Sequence, residues 1–398
     1  MSHAPLRLKK DVDRRLRNGH CWIYSNEVDN NQTPLRDFAP GDPVTIEAHN
    51  GKWLGFGYIN PHTLLCARIV GRDRDFQFDQ SLLVHRLRIA LGLRERIYAK
   101  PFYRLAFGDA DGLPGLVVDR YGDVLVVQVT TAGMERMKAE IVAALEKVIT
   151  PQAILFRNDA GVREMEGLDL YVEEALGQVP EAVEIEEHGA RFRIPMQGGQ
   201  KTGWFFDQAD NRRRMLRYTQ GKRVLDLFSY IGGWGVGAAV GGAAEVLCVD
   251  SSAAALEAVN ANAALNGLGD RVQTRQGDAF DVLKALREAQ ERFDVVLVDP
   301  PAFIKRRKDI KEGTLAYRRL NQAAIQVLSR DGILVSSSCS FHMTGESLLE
   351  NINLAGRHTD RTMQLLESGH QGPDHPIHPA IPETSYLKTF YLRVLPSF

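Results

Sequence analysis

In the second half of the chain, apolar residues dominate short runs at residues 224–228, 245–250, 293–299 and 332–338, with a weaker β-like run at 272–275. A run that is mostly apolar, rather than alternating with polar residues, marks a strand buried on both faces, as in a parallel sheet. Between these runs, residues 253–266, 281–290 and 314–328 read as helices. Strand then helix, repeated, predicts a doubly wound α/β sheet in residues 186–398. Two further strands are expected near 364–367 and 386–394, the second long enough to form a sheet edge.

The first half has a different rhythm. Residues 1–80 hold short β-like runs separated by turn formers, at 40–47, 52–59 and 64–70, and read as a small β-barrel. Residues 81–185 begin with a helical stretch at 81–96. Strands at 103–107, 116–119, 124–130 and 153–156 and a helix at 134–148 complete a small central α/β domain. Residues 183–194 alternate like a hairpin, with His188-Gly189 as the turn. The expected division is therefore 1–80, 81–185 and 186–398.

Charge narrows the partners. The formal net charge is −1, so no global basic signature for nucleic acid exists and any such contact must use local patches. One patch spans residues 6–17, with Arg7, Lys9, Lys10, Arg14, Arg15 and Arg17 against Asp11 and Asp13. Trp22 and Tyr24 follow it and would suit base stacking. No apolar run reaches the roughly 18 residues of a membrane span, and no apolar leader is evident. Four scattered cysteines, with no C-x-x-C pair, give no zinc site and fit reduced thiols in a cytoplasmic protein. Asp109 and Asp111 sit in a glycine-rich turn where Asx hydrogen bonding is the simpler account than a metal. His370, His375 and His378 fall in a proline-rich stretch read as a surface loop, so no metal is expected.

The candidate chemistry gathers where the C-terminal strands end. Asp226, Asp250, Asp278 and Asp299 each fall at or near such an end, and Ser251 and Ala279 directly follow two of them. The first run leads into Phe228-Ser229-Tyr230-Ile231-Gly232-Gly233, a turn in which glycine lets backbone approach a ligand closely. Ligands of open α/β sheets bind at the carboxyl ends of the strands, and an acid closing the second strand commonly accepts ribose hydroxyls. The glycine spacing differs from the dinucleotide fingerprint. The whole set resembles class I S-adenosylmethionine-dependent methyltransferases, which implies S-adenosylmethionine as the cofactor.

Two features concern the methyl acceptor. Asp299-Pro300-Pro301-Ala302-Phe303 resembles the Asp/Asn-Pro-Pro-aromatic motif of enzymes that methylate planar nitrogens: the prolines stiffen the turn and Phe303 can stack on a flat base. Cys339 follows Ser336-Ser337-Ser338 at the next strand exit. A thiolate there could add to a pyrimidine and activate carbon 5. Cys248 lies inside an apolar run, and it, Cys21 and Cys66 read as structural.

Together, the glycine turn, Asp299-Pro300-Pro301 and Ser338-Cys339-Ser340 resemble the bacterial 23S rRNA cytosine-5 methyltransferase I family along the full length, including a PUA-like RNA-binding N-terminus. The resemblance implies that Cys339 attacks the base and that Asp299 hydrogen-bonds cytosine N3. By position, it gives Asp250 the ribose hydroxyls, Asp278 the adenine amine, and Phe228, Ser229 and Gly232 the methionine end. Many RNA cytosine-5 enzymes carry a second cysteine after the motif proline, where this chain has Ala302 and Phe303. Lys201 and Thr202, just before the cofactor strand, resemble a segment that caps the cofactor; the plainer account is a connector with a helix cap at Asp207. Lys305 and Arg306, with Pro300 and Phe303, are candidates to hold substrate, although a solvated basic loop reads equally well. A guanine-N7 rRNA methyltransferase and a non-catalytic rRNA-binding assembly factor are the competing readings. The sequence leaves the oligomeric state open, a homodimer being one option.

Overall fold

The computed structural model describes residues 3–197 and 202–397. The chain divides into two compact units, one of residues 1–183, 195–206 and 373–384, the other of residues 184–194, 207–372 and 385–398. The boundary expected at 80 falls where a helix begins, and the one at 185 falls within a strand.

The first unit contains two five-stranded sheets. Strands β1 (Ala4–Arg7), β2 (Trp22–Ile23), β3 (Asp42–Glu47), β4 (Trp53–Ile59) and β5 (Ala67–Gly71) form the first, in the order β1-β3-β4-β5-β2. Leu6, Leu8, Ile23, Val44, Ile46 and Ile59 fill its core with Leu16 from the four-residue helix α1 (Arg14–Arg17). The basic stretch is therefore largely strand and loop, and it is partly neutralised by pairing of Arg7 with Glu47, Arg15 with Glu27 and Arg17 with Asp13.

Helix α2 (Gln80–Ile97) precedes β6 (Phe102–Phe107), β7 (Leu116–Tyr121) and β8 (Val124–Val129). Helices α3 (Ala132–Arg136) and α4 (Lys138–Ile149), then β9 (Ala153–Asn158) and β10 (Tyr171–Leu176), complete the second sheet, ordered β10-β9-β8-β7-β6. The single helix expected over 134–148 is broken at Met137, which caps one helix and starts the next. Strand β10 is too polar and exposed to be read from its pattern. Residues 373–384 also correct an expectation. Asp374 and His375 are buried and hydrogen-bonded to each other at 2.9 Å. Asp374 also accepts from the Arg104 amide, and its carbonyl accepts from Arg94. This part of the histidine-rich stretch is core structure.

The second unit opens on the hairpin of β11 (Ala182–Glu187) and β12 (Ala190–Pro195). His188 and Gly189 both have positive φ, as a tight two-residue turn requires. Then follow α5 (Ala209–Thr219), β13 (Arg223–Leu227), α6 (Gly235–Val240), β14 (Glu245–Asp250), α7 (Ala253–Leu265), β15 (Val272–Gln276), α8 (Ala279–Glu288), β16 (Phe293–Val298), α9 (Ile310–Gln326), β17 (Leu328–Ser338), α10 (Gly345–Arg357), β18 (Arg361–Gly369) and β19 (Lys388–Pro396). The sheet order is β15-β14-β13-β16-β17-β19-β18. Strands β13 to β17 are mutually parallel, and β19 runs antiparallel to both β17 and β18. The 386–394 run is therefore an inner strand, and β18 is the edge.

Alternation along β13 separates two layers. Leu225 and Leu227 join the core made with Val282, Leu283 and Leu286 of α8, Leu320 and Ala324 of α9, and Leu348 and Ile352 of α10. Each such side chain, fully buried, contributes about 1.5–3 kcal/mol. Asp226 points to the opposite face, against α6. Caps set the helix starts: Ser252, Asp278 and Thr344 side chains accept from the amides of Ala255, Phe280 and Ser347. The strand order reverses between β13 and β16, the switch point at which open α/β sheets bind ligands. None of the helices among the described residues is long and apolar enough to cross a membrane.

Candidate active site

The turn after β13 is held in an uncommon backbone form. Phe228, Tyr230 and Gly232 all have positive φ, at 62°, 48° and 90°. Two of the three carry large side chains, so the surroundings must impose the conformation. The Ser229 amide donates to the Val249 carbonyl at 3.0 Å, Tyr230 N to Asp250 Oδ2 at 2.9 Å, and Asn262 Nδ2 to the Ile231 carbonyl at 2.9 Å. Ser229 itself is buried, and its hydroxyl has no hydrogen-bond partner.

Asp226 is fully buried inside β13, one residue before the strand end where the sequence reading put it. Its Oδ2 accepts from the Gly235 amide at 2.8 Å, and Oδ1 is buried without a partner. Burial pushes this carboxyl well above the ordinary range, against the Gly235 hydrogen bond. The acid thus anchors the start of α6. A Cβ at Gly235 would collide with Cys248 Sγ and Asp226 Oδ2, so only glycine allows α6 to sit this close to the sheet. Cys248 is buried beside Asp226, and its thiol is pushed far up by burial, which suits packing.

Asp250 closes β14 and uses both oxygens on backbone, accepting from Tyr230 N and from Ser252 N at 2.9 Å. It thereby ties the glycine turn to the start of α7. Ser251 is exposed, and its carbonyl accepts from Gln276. Asp278 is exposed at the start of α8 and accepts from Phe280 N at 2.9 Å, and Ala279 behind it is buried.

Asp299 follows β16. Trp234 Nε1 donates to its Oδ2 at 2.9 Å, and Gln208 Nε2 donates to Oδ1 at 3.0 Å. Burial and the nearby Asp207 raise its pKa to about 6; the Trp234 hydrogen bond, Arg212 and Gln208 work in the other direction. Pro300 is buried, and the loop then turns against α9. The rings of Phe303 and Tyr317 lie 4.8 Å apart. Tyr317 OH bonds to Ser338 Oγ and to Ser340 Oγ, both at 2.9 Å, and Ile304 N donates to Ser340 Oγ at 3.2 Å. This network joins the Asp299-Pro300-Pro301 loop to the exit of β17. Val298 and Ser336 are register partners, so the two exits are neighbours. Half-buried Cys339 is the first residue past β17.

Lys201 lies outside the described residues. Thr202 belongs to the first unit, where it is buried and its carbonyl accepts from Tyr121 OH at 3.0 Å. Asp207 does not cap α5: Gln208 occupies that position, and Asp207 accepts from Tyr386 OH at 2.6 Å. Lys305 is exposed, whereas Arg306 is exposed and paired with Asp309 at 3.4 Å. In the first unit, Trp22 Nε1 donates to Asp109 at 2.8 Å, the Arg15 guanidinium lies over the Tyr24 ring, and Asp111 is bound by both Arg94 terminal nitrogens. These contacts account for the aromatic pair and the two acids structurally. Gln208, Trp234 and Tyr317 escaped the sequence reading. A tryptophan inside a glycine turn was the one available signal.

A doubly wound sheet with one antiparallel strand, a ligand turn at its switch point and acids at successive strand exits define a class I methyltransferase site. The model of the S-adenosylmethionine-dependent methyltransferase family matches residues 122–388, and that of the PUA-like domain matches residues 6–72. Ribosomal RNA large subunit methyltransferase I of Salmonella arizonae is 37% identical over 399 residues, covering 99% of this chain and 98% of the relative. That of Klebsiella pneumoniae strain 342 is 36% identical over 98% of both. The chain belongs to this family. The crystal structure of SMU.776 complexed with SAH superposes with a TM-score of 0.84 at 22% identity, over 98% of this chain and all of that one, a likeness of fold.

S-adenosylmethionine is therefore the cofactor. The turn fits it on structural grounds as well: the Ser229 hydroxyl is a buried polar group lacking a partner, beside backbone held in a strained form. Gly232 tests this shape. A Cβ there would lie 2.8 Å from Val236 Cγ2, on backbone at φ 90°. Gly232→Ala is expected to cost about 1–3 kcal/mol of local strain and to weaken S-adenosylmethionine binding about ten- to hundredfold by calorimetry. Unchanged affinity would mean that the turn does not shape the site.

Proposed function

We propose that this protein methylates carbon 5 of a cytosine in 23S rRNA through a covalent adduct with Cys339. The relatives act, by name, on ribosomal RNA of the large subunit. The observation that carries the finer reading is the adjacency of the Asp299 and Cys339 exits, tied by the Phe303–Tyr317–Ser340 network.

Bound S-adenosylmethionine supplies an electrophilic methyl group on a sulfonium. The chain's own residues make the acceptor reactive. The Cys339 thiolate adds to carbon 6 of cytosine, and the electrons of the 5,6 double bond become available at carbon 5. Asp299 in its acid form donates to N3, where charge accumulates. After carbon 5 has taken the methyl, its proton leaves to a base, the double bond re-forms and the thiolate departs. No second thiol stands at Ala302 or Phe303, so departure of Cys339 follows loss of the carbon 5 proton directly. Asp250 takes the ribose hydroxyls, Asp278 with Ser251 and Ala279 borders the adenine, and Phe228, Ser229 and Gly232 line the methionine end. Pro300 and Phe303 face the base, and Lys305 and Arg306 meet phosphates.

The test is nucleoside mass spectrometry of deproteinised 23S rRNA, from cells lacking the protein, after incubation with enzyme and deuterated S-adenosylmethionine. Label in 5-methylcytidine is the expected result. Label in 7-methylguanosine would overturn the carbon 5 reading, because N7 is nucleophilic without a thiolate. Absence of label on every nucleoside would favour an assembly factor.

A further inference from the structure

Lys388 has no part in the scheme above, yet the fold brings it to Cys339. It is the first residue of β19, and because β19 runs antiparallel to β17 that residue lies where β17 ends. Ser338, immediately before Cys339, is the register partner of Lys388. Ser340, immediately after Cys339, accepts a 2.7 Å hydrogen bond from Lys388 Nζ through its carbonyl. The backbone of Lys388 is thus beside Ser338, and its ammonium is held by the Ser340 carbonyl, on the other side of the cysteine. Its aliphatic stem packs at the start of α10, where a Cβ on Gly345 would lie 3.6 Å from Lys388 Cγ.

Among the described residues, Cys339 acts on Lys388 and also on Tyr317, whose hydroxyl bonds to Ser338 and Ser340 on either side of the cysteine. Glu346, beside Gly345 on α10, and Tyr386, two residues before β19, are titratable neighbours in the chain, and the Tyr386 hydroxyl donates to Asp207. Burial lowers the Lys388 pKa to about 8, and Cys339 opposes that shift. The ammonium therefore persists at neutral pH. A cation held beside a thiol favours the thiolate.

We propose that Lys388 is the positioning residue that keeps Cys339 ionised, its ammonium fixed by the Ser340 carbonyl as counter-ion to the thiolate. The thiol proton passes to water and Lys388 keeps its own, so no other reactant is needed. The inference rests on the reading of Cys339 as the nucleophile.

The test is the rate of iodoacetamide alkylation at Cys339 between pH 5.5 and 9.5, read on its peptide by mass spectrometry. The wild-type midpoint is expected below the ordinary value of about 8.5. Lys388→Met keeps the methylenes and removes the charge; it is expected to raise the midpoint by about one unit, slowing alkylation at pH 7 about tenfold. Lys388→Arg should stay within a few tenths of wild type, and Cys21 should not change in either variant. Methyl transfer by Lys388→Met should fall about tenfold at pH 7 and recover by pH 9. Coincident midpoints for wild type and Lys388→Met overturn the inference. If the Met variant fails to fold, a wild-type midpoint at or above about 8.5 overturns it alone. Alkylation needs no acceptor, so failure of the covalent mechanism is seen separately, as methylation by a Cys339→Ala enzyme.

Discussion

Cys339→Ala is expected to bind S-adenosylmethionine as tightly as wild type and to methylate RNA on the order of 10⁴-fold more slowly or not at all. Removing a covalent nucleophile typically costs that much, because the uncatalysed alternative retains the whole barrier that the adduct divides. Cofactor affinity should survive because the turn at Phe228–Gly232 is held by Val249, Asp250 and Asn262, none of which touches the β17 exit. The fold should survive as well. Ser338 and Ser340, not Cys339, make the hydrogen bonds to Tyr317 that join the loops. Calorimetry of cofactor binding and single-turnover methyl transfer separate the two effects. Full activity in this variant would remove the covalent mechanism and return Cys339 to packing.

Asp299→Asn is expected to lose about 10²–10⁴-fold in kcat, the usual worth of a general acid. Its pH signature is specific. With a pKa of about 6, Asp299 is mainly protonated below that pH. The acid form donates to N3, so its limb of the kcat/KM profile falls as pH rises above about 6, opposite to the rise from Cys339 ionisation. The Asn variant should lose the falling limb and keep the rising one. Stability supplies the control. The folded pKa is raised above the unfolded value near 3.9, so the stability contribution is fully present below that value and is lost as pH rises through about 6. Asparagine can accept from Trp234, and removal of a buried charge offsets the bond lost from Gln208, whose Oε1 already accepts from Asn211, so Asp299→Asn should unfold no more readily than wild type at pH 8. A variant that is inactive and also unstable there would assign Asp299 to structure alone.

The parallel strands were legible because burial on both faces leaves a mostly apolar run, as in Phe293–Val298, where only Asp294 is polar. The placement of Asp250, Asp278, Asp299 and Cys339 at or near strand exits was legible because exits interrupt those runs with polar residues. What escaped depends on distance along the chain or on order within the sheet. Trp234 and Gln208 meet Asp299 across 65 and 91 residues, and no local spacing announces such a contact. The run at 386–394 has the length of an edge strand, but length does not say which strands flank it. Lys388 was hidden for the same reason. The 369–382 stretch looked like surface because prolines mark loops and histidines are polar, yet Asp374 has enough hydrogen-bond partners to be buried. Asp226 has a part that its place in an apolar run does not announce: it holds a helix against the sheet.

The place of β19 has a consequence for how the protein is made. Strand β17 carries Cys339 at its exit, and its partner on one side arrives only when residues 388–396 have emerged from the ribosome. At roughly 5–20 residues per second, that open edge persists for several seconds after β17 is complete. An unpaired apolar edge is a template for joining other chains. Nascent chains stalled in this interval should be a preferred target for chaperones, and they should lack the lysine beside the cysteine. The thiol would then acquire its reactivity only in the finished sheet, which keeps a reactive cysteine quiet while the chain is still being built.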